Sequence, residues 1–240
     1  MTDAGRAYHQ RCAPIVAEAE AAELEVLAKT GAPTGRIRLA AAAGLGQLVL
    51  MPLLLDFLRR HPGISLDLEF ADRRVDLIAE GFDLAIRLGE LEDSSLIARR
   101  LATYARVLVA SPHYLAHAPL LDVPDDLRQH ACILISADRQ NWTLQTADGD
   151  IVIRVPWRLA VQNIFSVRDA ALAGLGIAMI PAYVVNDDLA AGRLVRMLQA
   201  ATVTPVTANA LFPPSKTQSI AVRRLIDFLV DALREGQSGA

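Results

Sequence analysis

Residues 64–89 read ISLDLEFADRRVDLIAEGFDLAIRLG, and this stretch predicts the fold of the chain. Apolar side chains occupy every second position from Ile64 to Phe70, which is typical of a strand with one buried face. The next residues predict a short helix around Leu77 that ends at Gly81, followed by a second strand over residues 83–88. A strand, a helix and a strand in this order predict two parallel strands of an α/β fold.

Strands and helices continue to alternate on both sides of this stretch. Upstream, a strand over residues 36–42 precedes a helix around Phe57. Downstream, a long strand over residues 96–110 leads to a second α/β region, and the chain closes with an amphipathic helix over residues 217–234. The second region is predicted to contain a helix near residues 125–129, strands at 132–135, 142–145 and 151–155, a helix capped by Ser166 that ends at Gly174, and a strand at 177–180.

Residues 3–29 predict a separate helix at the start of the chain. Apolar side chains recur there at alternating spacings of three and four, and the remaining face is charged, as in a helix that lies against another helix. Such a helix has too little apolar surface to be stable alone, so we expect it to pair with a second copy. Pro14 predicts a kink or the start of the helix, and GAPTG at residues 31–35 marks the boundary with the α/β part.

The composition narrows the possible classes of function. The chain has 240 residues, 52% of them hydrophobic, which is enough for one large or two small globular domains. A formal net charge of −3 provides no basic surface for tight nucleic-acid binding. Cys12 and Cys132 are too few and too far apart for a disulfide framework or a structural zinc site. The chain start lacks the pattern of a secretory signal, and the longest apolar stretch is too short to span a bilayer, so we expect a cytoplasmic protein.

Two motifs with possible chemistry are incomplete. Gly44 and Gly46 follow the first strand as in a dinucleotide-binding turn, but Val49 stands where a third glycine is needed. The turn still offers backbone N–H groups to a carboxylate or phosphate. His113 and His117 have a spacing that suits zinc, yet no third ligand is near, and two surface histidines are the simpler interpretation. With no activated nucleophile or defensible carboxylate pair, we predict neither enzymatic activity nor a cofactor or metal.

Three residues are candidates for binding a ligand, each with a structural alternative. Arg87 ends a predicted strand, where its guanidinium could hold an anion or instead pair with a nearby aspartate to fix the loop. Asn163 lies just before a predicted helix, where its amide could contact a ligand or close the turn. Phe165 is either a core residue or a platform for a ligand ring.

Taken together, these segments resemble the LysR-type transcriptional regulators, specifically their linker helix and effector-binding region. The most specific piece is residues 75–89, VDLIAEGFDLAIRLG. The other matching stretches are TDAGRAY at 2–8, GRIRL at 35–39, DSSL at 93–96, ARRL at 98–101, AGLGIA at 173–178 and DLAAGRL at 188–194.

The resemblance implies a two-lobed fold like that of type-2 periplasmic binding proteins, preceded by a long linker helix. It places the linker at residues 1–31, one lobe at 35–110 plus 212–240, and the other lobe at 111–211, with strands crossing between the lobes near residues 110 and 211. It also implies that a small effector, an organic acid or an aromatic metabolite, enters the cleft between the lobes. The resemblance implies that residues 42–47, Asp72, residues 86–89 and residues 163–165 line this cleft. The candidate site residues among them are Ala42, Ala43, Gly46, Gln47, Asp72, Arg87, Leu88, Gly89, Asn163 and Phe165.

The family further implies a homodimer or homotetramer that binds DNA only through a winged helix-turn-helix preceding the linker. This chain starts at Met1 where that unit would end, so we expect no DNA readout by the chain itself. The alternatives are a free-standing cytoplasmic solute-binding protein and a truncated regulator that acts through mixed dimers. An enzyme on the same scaffold is a third alternative, with no residues to support it.

Overall fold

The structure is a computed structural model that describes residues 33–73, 75–89, 91, 95–214 and 219–238. The helix predicted at residues 3–29, with Pro14 and Cys12, lies outside the described residues. In the described part of the chain, no helix is long and apolar enough to cross a membrane.

A parallel sheet with a long helix forms the first part of the fold. Strand β1 (Gly35–Ala41) pairs in parallel with β2 (Ile64–Phe70) on one side and with β3 (Leu84–Leu88) on the other. Between β1 and β2, helix α1 (Ala43–Leu45) passes through a π-helical segment (Gly46–Leu50) into α2 (Met51–Arg60). Pro52 lies two residues after the end of the π-helical segment and has no N–H to donate to the carbonyl four residues earlier.

A second parallel sheet forms the other part of the fold. Its strands are β5 (Cys132–Leu134), β8 (Trp157–Ala160) and β9 (Ile177–Pro181), and β5 pairs in parallel with both of the others. The remaining elements of this part are α3 (Pro112–Leu115), a 3₁₀ helix (Pro124–Gln129), β6 (Asn141–Thr146), β7 (Gly149–Arg154), α4 (Ile164–Leu172), α5 (Ala182–Ala190) and β10 (Val195–Met197).

Two long antiparallel strands join the two parallel sheets into one. They are β4 (Ile97–Ala110) and β11 (Thr202–Phe212), and after β11 the chain returns to the first part as α6 (Ile220–Ser238). The resulting strand order is β2-β1-β3-β11-β4-β9-β5-β8. Among the described strands, only β4 and β11 continue from one parallel sheet into the other, so they form the connection between two lobes.

Separate apolar clusters define the two lobes. One cluster gathers buried residues of β1, α1, α2, β3 and α6, and we call this part the first lobe. Two further clusters pack on the second lobe, and Leu108 belongs to one while Val107 and Val109 belong to the other. Side chains alternate between the faces of a strand, so the second lobe buries both faces of its sheet. The lobe limits at residues 110/111 and 211/212 stay a prediction.

The structure corrects three predicted elements. Residues 77–81 form turns rather than a helix, because Asp76 accepts the N–H groups of Ile78 and Ala79 and closes the segment locally. The element near residues 125–129 is a 3₁₀ helix. The helix assigned to a Ser166 cap begins at Ile164 instead, because Asn163 accepts the N–H of Ser166.

Candidate functional site

The side chain of Asp72 lies where the two lobes meet. One carboxylate oxygen accepts the backbone N–H of Ala43 in the first lobe at 3.0 Å. The other oxygen accepts the backbone N–H of Ile164 in the second lobe, also at 3.0 Å. These N–H groups belong to the first turns of α1 and α4, where no intrahelical acceptor exists. A single carboxylate therefore satisfies one helix start in each lobe.

The backbones around these two bonds approach closely. A Cβ added at Gly44 would lie 2.8 Å from Cγ2 of Ile164 and 3.8 Å from the ring of Tyr183. The first distance is shorter than real Cβ contacts, so only glycine fits at this position without a shift of its neighbour. The lobes are in direct contact beside Asp72.

Arg87 is the second-last residue of β3, lies next to this contact and is half-buried. Its Nη1 donates to the carbonyl of Arg73 at 2.9 Å, whereas its Nη2 is buried without a hydrogen-bond partner in the described part of the chain. Burial, followed by the charge of Arg73, lowers the pKa of Arg87, while the charges of Asp72 and Glu80 act in the opposite direction. The guanidinium thus keeps one donor unused beside the lobe boundary.

Two tyrosines extend the contact between the lobes. The rings of Tyr104 on β4 and Tyr183 on α5 meet edge to face with centroids 5.0 Å apart. Tyr183 packs against apolar clusters of both lobes. The hydroxyl of Tyr104 is buried without a partner among the described residues, and burial raises its pKa to about 12. Burial, followed by the charges of Tyr104 and Asp72, also raises the pKa of Tyr183. Both hydroxyls are therefore protonated at neutral pH.

Other predicted cleft residues have structural roles of their own. The side-chain amide oxygen of Asn163, Oδ1, accepts the N–H of Ser166 at 2.9 Å, which is the turn-closing alternative. Phe165 is partly buried against an apolar cluster of the second lobe. A Cβ at Gly46 would lie 2.5 Å from the ring of Phe70, so this glycine permits close packing of the helix on β2.

The remaining predicted residues use mainly their backbones or are exposed. The N–H of Ala42 donates to Ile86 at 3.3 Å, and the N–H of Gly89 donates to Thr207 at 2.9 Å. Leu88 pairs with Ala208 in the sheet. Gln47 is exposed on the π-helical segment. Whether any of the ten residues binds a ligand stays a prediction.

Sequence reasoning missed Tyr104 and Tyr183 as members of this site, whereas Gly44 and Ile164 lie within the stretches that the resemblance implies to line the cleft. The structure explains Gly44 by its close contact with Ile164. The two tyrosines are separated by 79 residues in the chain, and no local pattern indicates that their rings meet.

The histidine and cysteine candidates lie outside the lobe boundary. His113 and His117 line a shallow cavity of about 260 Å³ with Tyr114 and Gly174. In the described residues, no group of three or more His, Cys, Asp or Glu side chains is placed to hold a metal ion. Cys132 is buried, as predicted for a core residue, and burial raises the pKa of its thiol to about 12. A thiol with this pKa is a poor nucleophile at neutral pH.

The sequence is similar to a known family and to curated regulators. A family model described as "LysR substrate binding domain" matches residues 30–234. The chain is 32% identical over 241 residues to the uncharacterized HTH-type transcriptional regulator YhjC of Escherichia coli, with 98% of this chain and 80% of that protein covered. It is 31% identical over 246 residues to the HTH-type transcriptional regulator CrgA of Neisseria meningitidis, with coverage of 100% and 81%.

Solved structures show the same architecture. The structure of CrgA, a LysR-type transcriptional regulator from Neisseria meningitidis, matches with a TM-score of 0.74 and 30% identity, covering 97% of this chain and 80% of that chain. The full-length structure of the Vibrio cholerae virulence activator AphB matches with a TM-score of 0.73 and 28% identity, covering 96% and 80%. In both cases the similarity extends over nearly the whole of the present chain.

Proposed function

Because the chain belongs to the LysR-type family of transcriptional regulators, we propose that it is the effector-sensing and dimerisation part of a bacterial regulator. In this proposal, a small organic acid or aromatic metabolite binds between the two lobes and controls DNA binding by a helix-turn-helix unit. The family supports a regulatory role rather than an enzymatic one, since the similar proteins are named as transcriptional regulators.

The observation that carries the proposal is the unused donor of Arg87. A buried N–H without an acceptor costs roughly 1–3 kcal/mol, and more when the group is charged. A ligand carboxylate next to Nη2 would remove this cost and neutralise a guanidinium that burial disfavours. The buried Tyr104 hydroxyl, also without a partner in the described residues, offers a second polar contact near Tyr183.

A ligand at this place acts on the arrangement of the lobes. Arg87 and Tyr104 belong to the first lobe, whereas Ile164 and Tyr183 are supplied by the second. A molecule that touches both lobes favours one arrangement over another by the difference in its affinity for the two. In this proposal, the favoured lobe arrangement then controls the helix-turn-helix unit.

The proposal includes a homodimer or homotetramer. Leu48 and Leu55 are 42% and 46% exposed and lie seven residues apart on the helical stretch that contains α1 and α2. This spacing is about two helical turns, so the two side chains offer apolar surface on one side of the stretch. Light scattering of the purified chain measures the oligomer directly.

Thermal unfolding tests the proposed ligand class. We expect at least one member of a panel of aliphatic and aromatic carboxylates to raise the unfolding temperature in a saturable way. At 100 times its dissociation constant, a ligand of the native state adds about 2.7 kcal/mol. The variant Arg87→Met should lose most of this stabilisation, because its side chain keeps the apolar stem and lacks the donor.

Arg100→Met is the matched control, because Arg100 is an exposed arginine on β4 whose Nη2 contacts Thr103. It should respond to the same ligand as the unmodified chain. If no carboxylate stabilises the chain, or if Arg87→Met responds as strongly as Arg100→Met, the proposed ligand class is wrong.

A further inference from the structure

The carboxylate of Asp72 accepts one backbone N–H from each lobe. The two donors, Ala43 and Ile164, are 29 and 92 residues away from Asp72 along the chain. The side chain is partly buried, so both bonds are partly shielded from water.

The helix starts depend on Asp72 to different degrees. Ala42, the residue before α1, has no side chain that can cap the helix. Asn163 caps α4, but its side-chain Oδ1 accepts the N–H of Ser166 and leaves the N–H of Ile164 to Asp72. A carboxylate at the first turn of a helix is also favoured by the helix dipole. Asp72 therefore stabilises one helix start in each lobe at the same time.

The contact at Gly44 shows what these bonds exclude. Because a Cβ at Gly44 would lie only 2.8 Å from Cγ2 of Ile164, no ligand atom fits between Gly44 and this side chain as they stand. A molecule that inserts at this point has to move the lobes apart, and this movement breaks at least one bond of Asp72.

We propose that Asp72 is a positioning residue that holds the two lobes together in the absence of a metabolite, and that a ligand carboxylate gains the N–H groups of Ala43 and Ile164 only by displacing it. The second half of this statement rests on the proposed function. The first half does not, because it concerns contacts within the chain itself.

The chain offers a matched comparison in Asp126. Its carboxylate also accepts two backbone N–H groups, from Asp122 at 3.0 Å and from Val123 at 2.9 Å. Both of these donors lie in the same loop of the second lobe. Removing either carboxylate deletes the same number of backbone hydrogen bonds, but only the bonds of Asp72 run between the two lobes.

Hydrogen exchange of the full chain tests the first half. In Asp72→Ala, peptides that contain Ala43 and Ile164 should both exchange about tenfold faster or more, since each loses a hydrogen bond to a charged group. In Asp126→Ala, the peptide that contains Asp122 and Val123 should exchange faster while the other two stay unchanged. If only one of the two peptides responds to Asp72→Ala, Asp72 is an ordinary cap of one helix and the proposal fails.

Ligand competition tests the second half, with benzoate as the probe. Asp72→Ala should bind benzoate at least about tenfold more tightly than the unmodified chain, because the internal competitor is gone. Asp126→Ala should bind it as the unmodified chain does. Equal affinity in Asp72→Ala would refute displacement. Faster exchange at both peptides with no carboxylate binding to any variant would uphold the first half and refute the proposed function.

Discussion

At the scale of single residues, a buried carboxylate in the second lobe connects two helices and the loop that follows the second of them. Asp188 on α5 is 0% exposed and accepts hydrogen bonds from Arg168 on α4 and from Arg193 beyond the end of α5. Burial by itself would raise the pKa of Asp188, but the hydrogen bonds from Arg168 and Arg193 outweigh it and lower the pKa. The ionised form is therefore the one that the fold stabilises.

Replacing this carboxylate should destabilise the fold. Asp188→Asn keeps the size of the side chain and loses its charge, so we expect the free energy of unfolding to fall by about 3 kcal/mol in urea titrations at pH 7. Asp125→Asn removes the partner of Arg128 from an exposed pair and should change it by about 0.5 kcal/mol or less. Equal effects of the two substitutions would contradict this prediction.

The difference in stability between the unmodified chain and Asp188→Asn should depend on pH. Because the folded-state pKa of Asp188 lies below the unfolded value of 3.8, its stabilisation is present above that value and is lost as the pH falls through the folded-state pKa. The difference between the unmodified chain and Asp188→Asn should therefore be constant from about pH 5 to 7 and should shrink below about pH 4. A difference that grows on acidification would contradict the assignment.

At the scale of elements, the pairing of the two crossing strands is interrupted between the lobes. The register between β4 and β11 shifts between Val203 and Val206, around Pro205, which has no N–H for the ladder. Arg106 donates to the carbonyl of Thr204 at 2.7 Å within this irregular stretch. Burial, and then the charge of Arg139, lower the pKa of Arg106. The side chain thus supplies a hydrogen bond at the point where the strand pairing is interrupted.

The entry into β9 depends on a glycine. A Cβ at Gly176 would lie 2.2 Å from the carbonyl oxygen of Ala131, which accepts the N–H of Ile177. Gly176→Ala should therefore lower the free energy of unfolding by about 3 kcal/mol or more, or prevent folding. Gly192→Ala is the control, because nothing lies within 4 Å of its added Cβ and only its positive φ of 68° is unfavourable. We expect this control to cost about 1 kcal/mol in the same urea titration, and a similar cost at both positions would exclude the steric explanation.

At the scale of the whole molecule, the two lobes share one sheet. β4 contributes Leu101 and Ala102 to the first lobe and Val107 and Val109 to the second. β11 does the same with Ala208 and Val203. The unfolding of one lobe therefore removes strand partners from the other, which couples their stabilities.

This coupling predicts a single unfolding transition. The two tryptophans, Trp142 and Trp157, both lie in the second lobe, so tryptophan fluorescence reports on that lobe, whereas far-ultraviolet circular dichroism reports on both. The two signals should give the same urea midpoint, because coincident probes are the signature of two-state unfolding. Separate midpoints would show that the lobes unfold independently.

Much of the architecture could be predicted because the relevant patterns are local. Alternating apolar residues in 64–70 predicted β2, and the apolar run after residue 176 predicted β9, as the structure confirms. The helix predicted around Leu77 and the helix start predicted at Ser166 were wrong. Short side chains such as Asp76 and Asn163 accept hydrogen bonds from nearby backbone N–H groups, and periodicity does not record these bonds.

The sequence by itself determined an α/β chain and a resemblance to LysR-type regulators, since periodicity, turn residues and motifs are readable within a few positions. The two crossing strands were implied by that resemblance. Only the tertiary structure decided what Asp72, Arg87 and Gly44 contact. Ala43 and Ile164 come to the two oxygens of one carboxylate from 29 and 92 residues away. Such a meeting depends on how both lobes pack against each other, because hydrogen bonds and close contacts are set by distances in space rather than by separation along the chain.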